Sequence, residues 1–189
     1  MIKRAFVFGM LLCSLCAFAQ GDIKVLLEQL LTKARGYNDI KSVIDILKKQ
    51  DAVYQYVPSL NPVNPKKMKR ISSQAGVRYH PIDKVFKKHE GIDISANLAT
   101  PIHAPASGTV VIASSGVTGY GNYINIKHKY GYETRYGHLS KIYVKAGDVV
   151  KKGDIIGFIG STGKSTGNHL HFEIRKFGCS INPEPFLQL

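Results

Sequence analysis

Seven histidines, His80, His89, His103, His128, His138, His169 and His171, all lie beyond residue 79 of a 189-residue chain. Imidazoles bind metals and carry protons near neutral pH, so their confinement to one part of the chain suggests a site. Two of them fall in His-Leu-His-Phe-Glu-Ile, residues 169–174, whose strict alternation is that of a strand. Residues two apart on a strand share a side. His169, His171 and Glu173 therefore face one way, and Leu170, Phe172 and Ile174 the other. An isolated His-x-His is more often a surface pair on an edge strand, but His89-Glu90-Gly91-Ile92-Asp93 changes the weighing. It departs from the helical H-E-x-x-H signature at Asp93. Gly91 weakens the helix that signature needs, and Asp93 to Asn97 reads as extended, so Glu90 is not expected to be a catalytic base. His89 and Asp93 remain a nitrogen and oxygen ligand pair. One histidine of the His-x-His would complete two imidazoles and a carboxylate, leaving a fourth zinc position for water. Glu173 is either a partner that orients an imidazole or a solvent-exposed strand residue, and is not assigned to the site.

The stretch before the histidine pair, Gly160-Ser-Thr-Gly-Lys-Ser-Thr-Gly167, has the texture of a phosphate-binding loop. The pattern G-x-x-x-x-G-K-[ST] places Phe158 where its first glycine belongs, and no helix follows to present backbone N–H groups. A nucleotide is therefore excluded, and Lys164 becomes an exposed turn residue.

These segments must be positioned by the rest of the chain. From Ile71 onward, frequent glycines and short β-branched runs such as "GTVVIAS", "NYINIKH" and "DIIGFIG" predict a mostly β domain. "PASGTVVI" and "VKKGDIIG" echo one another, a pattern also found in barrel-sandwich carrier domains. Upstream, Ile23, Leu26, Leu27, Leu30, Leu31 and Ala34 predict an amphipathic helix with Asp22 as its N-cap and Gly36 as its stop. Ile40, Val43, Ile44 and Leu47 predict a second, capped by Asn38. Pro58, Pro62 and Pro65 mark an extended linker. The expected organisation is a helical region at 20–56, a linker at 57–70 and the β domain at 71–189. Before these, a basic start (Lys3, Arg4), an apolar run from Ala5 to Ala19 and an Ala-Phe-Ala end read as a signal peptide over 1–19. That run is short of the roughly 20 residues that span a bilayer. Cys13 and Cys16 would leave with it, and Cys179 alone cannot form an intramolecular disulfide.

The 44% apolar content suffices for a packed core. The formal charge is +13, or +11 without the signal segment, which suits polyanions. For an exported chain an anionic envelope polymer is a better partner than nucleic acid. His128, at the end of a β-run, reads as a hydrogen-bonded structural residue, and His80 and His103 as loop residues near a cleft rim.

Taken together, "HEGID", "RYGHLS" and "GSTGKSTGNHLHFE" resemble the three signatures of lysostaphin-type (LytM-like) zinc metalloendopeptidases, which cut peptide bonds in bacterial peptidoglycan. "GVRYHP", "GYGNYINIKH" and "VKKGDIIGFIGSTG" extend the likeness over roughly Ile71 to Leu187. The resemblance implies an antiparallel, barrel-sandwich-like peptidase domain with a duplicated hybrid motif. By position it implies one zinc ion per chain held by His89, Asp93 and His171, with His138 and His169 catalytic. The substrate-binding residues are unknown. It implies location in the bacterial envelope, periplasmic or extracellular, and peptidoglycan peptides as partners, with no nucleic acid or nucleotide. The chain departs from the family at Ala75, where an aromatic is frequent, and at Ala99, where glycine is. The alternative functions are a non-catalytic domain that binds the wall or activates another hydrolase, and a biotinyl or lipoyl carrier, for which Lys164 lacks the flanking residues. Self-association or regulatory docking is the use open to the N-terminal helices.

Overall fold

The computed structural model describes residues 21–79 and 84–187. The signal segment, with Cys13 and Cys16, and His80 lie outside the described residues. Thirteen strands follow the helical region: β1 (Met68–Ser73), β2 (Gly76–Tyr79), β3 (Phe86–His89), β4 (Ile92–Ala96), β5 (Pro101–His103), β6 (Gly108–Val117), β7 (Gly121–Lys127), β8 (Tyr132–Gly137), β9 (Lys141–Ile142), β10 (Val149–Val150), β11 (Ile155–Phe158), β12 (His169–Lys176) and β13 (Cys179–Ile181). The main sheet is ordered β1-β4-β12-β8-β7-β6-β10, with β13 added to β12. A second sheet runs β5-β11-β9, and β2-β3 form a separate hairpin. Every named pairing is antiparallel. This is the mostly β, antiparallel architecture that the β-branched runs and the family resemblance imply.

Alternation decides what each strand buries. Leu170, Phe172 and Ile174 of β12 are wholly buried beside Ile92 and Ile94 of β4, Ile124 and Ile126 of β7, and Tyr136 of β8. Each large apolar side chain so placed contributes about 1.5–3 kcal/mol of transfer free energy. Side chains on the other face of β12 are thereby freed for polar work. The two echoing segments meet: Val150 stands opposite Gly108, and the Lys152 amide donates to Ser107 Oγ (3.0 Å).

The N-terminal region comprises α1 (described over 21–33), α2 (Tyr37–Ile40), a 3-10 turn (Lys41–Val43), α3 (Ile44–Lys48) and α4 (Asp51–Tyr54). A short α5 (Glu184–Leu187) closes the described chain. Three sequence expectations need correction here. Asp22 lies inside the helical residues and is not a cap, and the second helix is broken into short pieces. The polar cap at α2 comes from Asp39, not Asn38: its Oδ2 accepts the amides of Arg35 (2.7 Å) and Gly36 (3.2 Å). The apolar stripe of α1 is only half used. Leu27, Leu31 and Ala34 are buried, while Ile23 and Leu26 stay 38% and 64% exposed, because the β domain is reached only by the last turns of the helix.

These helices pack at the end of β12 remote from its histidines. The Lys176 ammonium donates to the Leu31 carbonyl (2.8 Å), one of those left over at the end of α1, and to the Tyr130 carbonyl. Phe186 makes edge contacts with Tyr37 (5.7 Å) and Tyr132 (6.0 Å). His169 and Lys176 bound the eight-residue strand, a span of about 23 Å at about 3.3 Å per residue. The proline-rich stretch is laid against the β domain: Val57, Pro58, Ser59, Pro62 and Val63 are buried, and the His103 amide donates to Pro62 (2.8 Å). Among the described residues no helix is long and apolar enough to cross a membrane.

Candidate metal centre

Antiparallel register brings the two ligand motifs together. His171 on β12 stands directly opposite Asp93 on β4, and its other neighbour is Gly137, at the end of β8 just before His138. His89 ends β3, and the chain turns through Gly91 to reach Asp93 four residues later. The turn needs glycine, since a Cβ there would lie 2.1 Å from the Phe172 carbonyl oxygen. HEGID is thus a strand, a tight turn and a second strand, without the helix of the zincin signature.

The three ligand atoms converge. His89 Nε2, His171 Nδ1 and Asp93 Oδ1 lie 3.0–3.1 Å from one another. Among the described residues these three are the group able to hold a metal ion. The opposite ring nitrogens show which atoms carry hydrogen. His89 Nδ1 faces the Gln74 carbonyl (2.8 Å), which only accepts, so Nδ1 is the donor and Nε2 offers a lone pair. His171 Nε2 faces Glu173 Oε1 (3.1 Å), so its Nδ1 is turned likewise to the trio. Three acceptors aimed at one point call for a cation. Tetrahedral zinc with ligand distances of about 2.0–2.1 Å places its donors about 3.3–3.4 Å apart, a few tenths of an ångström from what is seen. The donor set of two nitrogens and one oxygen suits zinc better than calcium or magnesium, which take oxygen.

Charges around the trio agree. Burial alone would raise the Asp93 pKa, but its pairing with His171 and then His89 holds it far below the usual carboxylate range. Burial would likewise depress His171, yet the carboxylates of Asp93 and Glu173 raise it to about 9. A divalent cation would displace that proton from Nδ1. Arg78 reaches the second oxygen of Asp93 (3.3 Å) and leaves Oδ1 for the trio.

His138 and His169 stand at the mouth, their rings 4.7 Å apart. His138 Nδ1 donates to the Thr162 carbonyl (2.8 Å) and His169 Nδ1 to the Gly167 carbonyl (2.8 Å), so both Nε2 atoms are free of hydrogen in the neutral rings. His169 Nε2 is 3.7 Å from Asp93 Oδ1. Burial pushes the His138 pKa down to about 4, the neighbouring imidazoles adding to the effect against the Thr162 bond. His138 also has φ of +66°, a left-handed backbone costing a non-glycine residue about 1–2 kcal/mol. Its amide bond to the Tyr120 carbonyl (2.7 Å) and its ring bond to Thr162 hold it there.

The glycine and hydroxyl run is the clamp that fixes this ring. Thr162 Oγ1 donates to the Leu139 carbonyl (2.9 Å) and accepts the Asn122 amide (2.9 Å), which aims the Thr162 carbonyl at His138. Gly163, at φ +71°, passes so close to the 119–121 backbone that a Cβ would fall 2.4 Å from the Gly121 nitrogen. No phosphate is needed to explain the motif.

Some functional contacts were not legible in advance. Glu173 is fully buried, not a surface strand residue, and accepts from His171, Tyr120 and Arg175 Nη1 (3.0 Å). Its place on the His171 face was the available signal. Tyr120 and Arg78 carried none beyond lying in matched motifs. Glu90 sits at the rim, where Ser180, then Lys88, hold its carboxyl below the usual range, so it is no poised base. His103 lies away from the cleft and donates to the Gly153 carbonyl (2.9 Å). His128 is buried with both ring nitrogens bonded, to the Ser107 carbonyl (2.9 Å) and Thr134 Oγ1 (2.7 Å). Ala99, where the family often has glycine, adopts φ of +60°.

The fold and donor set define a class: an antiparallel β protein with a compact His, Asp, His trio and two further imidazoles at its mouth, the composition of a metallohydrolase. The chain belongs to Peptidase family M23, whose model matches residues 87–183. It is 47% identical over 114 residues to a DD-carboxypeptidase/endopeptidase, Mpg, of Neisseria meningitidis serogroup B, covering 60% of this chain and 26% of that relative. This chain therefore spans about a quarter of that relative's length. Among solved structures, a zinc-containing peptidase from Vibrio cholerae matches with TM-score 0.59 and 35% identity over 64% of this chain and 37% of that one. The catalytic domain of lysostaphin from Staphylococcus simulans matches with TM-score 0.58 and 38% identity over 64% of this chain and 92% of that one.

Proposed function

We propose that this chain is a zinc-dependent endopeptidase that hydrolyses peptide bonds in peptidoglycan stem or cross-bridge peptides. The observation that carries the reading is the convergence of three ligand lone pairs beside two imidazoles whose inner nitrogens are free to accept protons. The substrate class rests on the peptidoglycan peptidases among its relatives. His89, Asp93 and His171 would hold the zinc, which when bound acts as a Lewis acid and lowers the pKa of a coordinated water to about 7.

The remaining chemistry belongs to the chain. His138, kept neutral by burial, accepts a proton at Nε2 while its Nδ1–H stays on Thr162. His169 presents Nε2 on the same side, 3.7 Å from Asp93 Oδ1. So protonated, either ring donates a hydrogen bond to negative charge developing on the substrate carbonyl. Glu173 orients His171, and Thr162 and Gly167 orient the two catalytic rings. Residues 1–19 would direct export to the envelope, and 71–189 would be the catalytic domain.

The test measures bound zinc, then digests purified peptidoglycan with the wild type and three variants. One zinc per chain is expected. His171→Ala loses zinc and cleavage together, whereas His138→Ala and His169→Ala keep zinc and lose about 10²- to 10⁴-fold in rate. A zinc-free wild type, or undiminished cleavage by His171→Ala, overturns the assignment. A chain that binds zinc and cuts nothing favours the wall-binding alternative.

A further inference from the structure

The cleft over the trio encloses about 550 Å³, and its walls are basic. Arg70, Arg78, Lys87, Lys88 and Lys164 line it against Glu90, Asp93 and Glu173. The acids are already engaged: Asp93 belongs to the ligand trio, Glu173 is buried between Arg175 (3.0 Å) and Arg135 (3.8 Å), and Glu90 pairs with Lys88 (3.2 Å). Arg78 is held on Asp93 and Lys88 also on Ser180 (3.0 Å). Arg70 is different. It is exposed, lines the cleft, and its guanidinium has no hydrogen-bond or ion-pair partner among the described residues.

Register fixes where Arg70 stands. On β1 it is opposite Ser95 of β4, and Ser95 is opposite His169 of β12. Directly opposed residues of antiparallel strands share a face. Arg70, Ser95 and His169 therefore form one row across three strands, next to the row carrying Asp93 and His171. Two strand spacings separate the Arg70 and His169 backbones by about 10 Å, or some two to three residues of extended peptide. A planar guanidinium at that distance, with no partner among the described residues, is built to take a carboxylate through two parallel hydrogen bonds.

Building on the endopeptidase reading above, we propose that Arg70 is a specificity-determining residue that binds a free carboxylate of an acidic peptide substrate, two to three residues from the bond cut. The rest of the basic wall draws anionic peptides in, and Arg70 sets which of them lie in register with His169.

The test compares two peptides that differ only in one carboxylate, free in one and amidated in the other, using the full chain with zinc. Cleavage and fluorescence-anisotropy binding are measured for the wild type, Arg70→Gln, Arg70→Lys and Lys69→Gln. Lys69, the neighbouring basic residue of β1, does not line the cleft and serves as control. The wild type is expected to favour the free carboxylate about tenfold or more, the size of a charge-assisted contact. Arg70→Gln brings that ratio close to one through KM, Arg70→Lys keeps part of it, and Lys69→Gln keeps all of it. Equal use of both peptides by the wild type, or an unchanged ratio in Arg70→Gln, overturns the proposal. A chain that cuts neither peptide defeats the endopeptidase reading, and the binding ratio still decides the role of Arg70.

Discussion

Replacing Glu173 by glutamine tests whether the candidate metal centre depends on what lies behind its ligands. The change keeps the shape of the side chain and removes its charge. Glu173 Oε1 now accepts from His171 Nε2 (3.1 Å) and from the Tyr120 hydroxyl, while Oε2 accepts from Arg175 (3.0 Å). A glutamine can keep its oxygen on only one side. If it faces His171 and Tyr120, the amide NH₂ confronts the Arg175 guanidinium; if it faces Arg175, the NH₂ confronts the His171 N–H. Either way His171 loses the carboxylate that makes Nδ1 a stronger donor to a metal. Loss of such an orienting carboxylate costs about 10- to 100-fold in metal affinity, or about 1.4–2.7 kcal/mol. Loss of one charge-assisted bond inside the fold costs about 1.5–3 kcal/mol of stability. Chelator competition reads the zinc Kd, and peptidoglycan cleavage is followed as zinc is added. Glu173→Gln should bind zinc at least tenfold more weakly and recover much of its activity at excess zinc. An unchanged zinc affinity with only a lowered Tm would refute the orienting role and leave Glu173 a structural residue.

Further outcomes follow from single contacts. His128 is buried and held at a pKa of about 4 against an ordinary 6.5, chiefly by burial. The unfolded chain takes up a proton there between about pH 6.5 and 4 while the native one does not, so stability falls as pH drops through that window, by about 3 kcal/mol. Urea midpoints at pH 7.5 and 4.5 should converge in His128→Asn relative to wild type. Gly91→Ala forces a Cβ onto the Phe172 carbonyl and should cost about 1–3 kcal/mol, with zinc content falling because β4 must shift Asp93 away from His171. Ala99→Gly relieves a left-handed alanine and should raise stability by about 0.5–1 kcal/mol, seen as a higher Tm with zinc binding unaltered.

Short-range patterns in the chain settled several things. The alternation of residues 169–174 sorted His169, His171 and Glu173 from Leu170, Phe172 and Ile174, because side-chain direction on a strand depends only on the next residue or two. The spacing of His89 and Asp93 about Gly91 excluded a helical site for the same local reason, and the failed glycine at Phe158 excluded a nucleotide loop. Composition also marked the β domain and the helical region before it.

What the sequence left open depends on partners distant along the chain. Whether His171 meets Asp93 is a matter of register between β12 and β4, and register is fixed by burying Phe172 and Ile174 on one face, a property of the whole sheet. Glu173 could be read as exposed or orienting until the sheet closed over it, since burial and the nearness of Tyr120 and Arg175 are not local. The stripe of α1 promised contacts from Ile23 onward, but only the turns that reach the β domain are covered. The chain alone thus determined which residue types could hold a metal and move a proton. Tertiary structure decided which nitrogen of each imidazole faces inward, because the carbonyl or carboxylate behind each ring comes from packing.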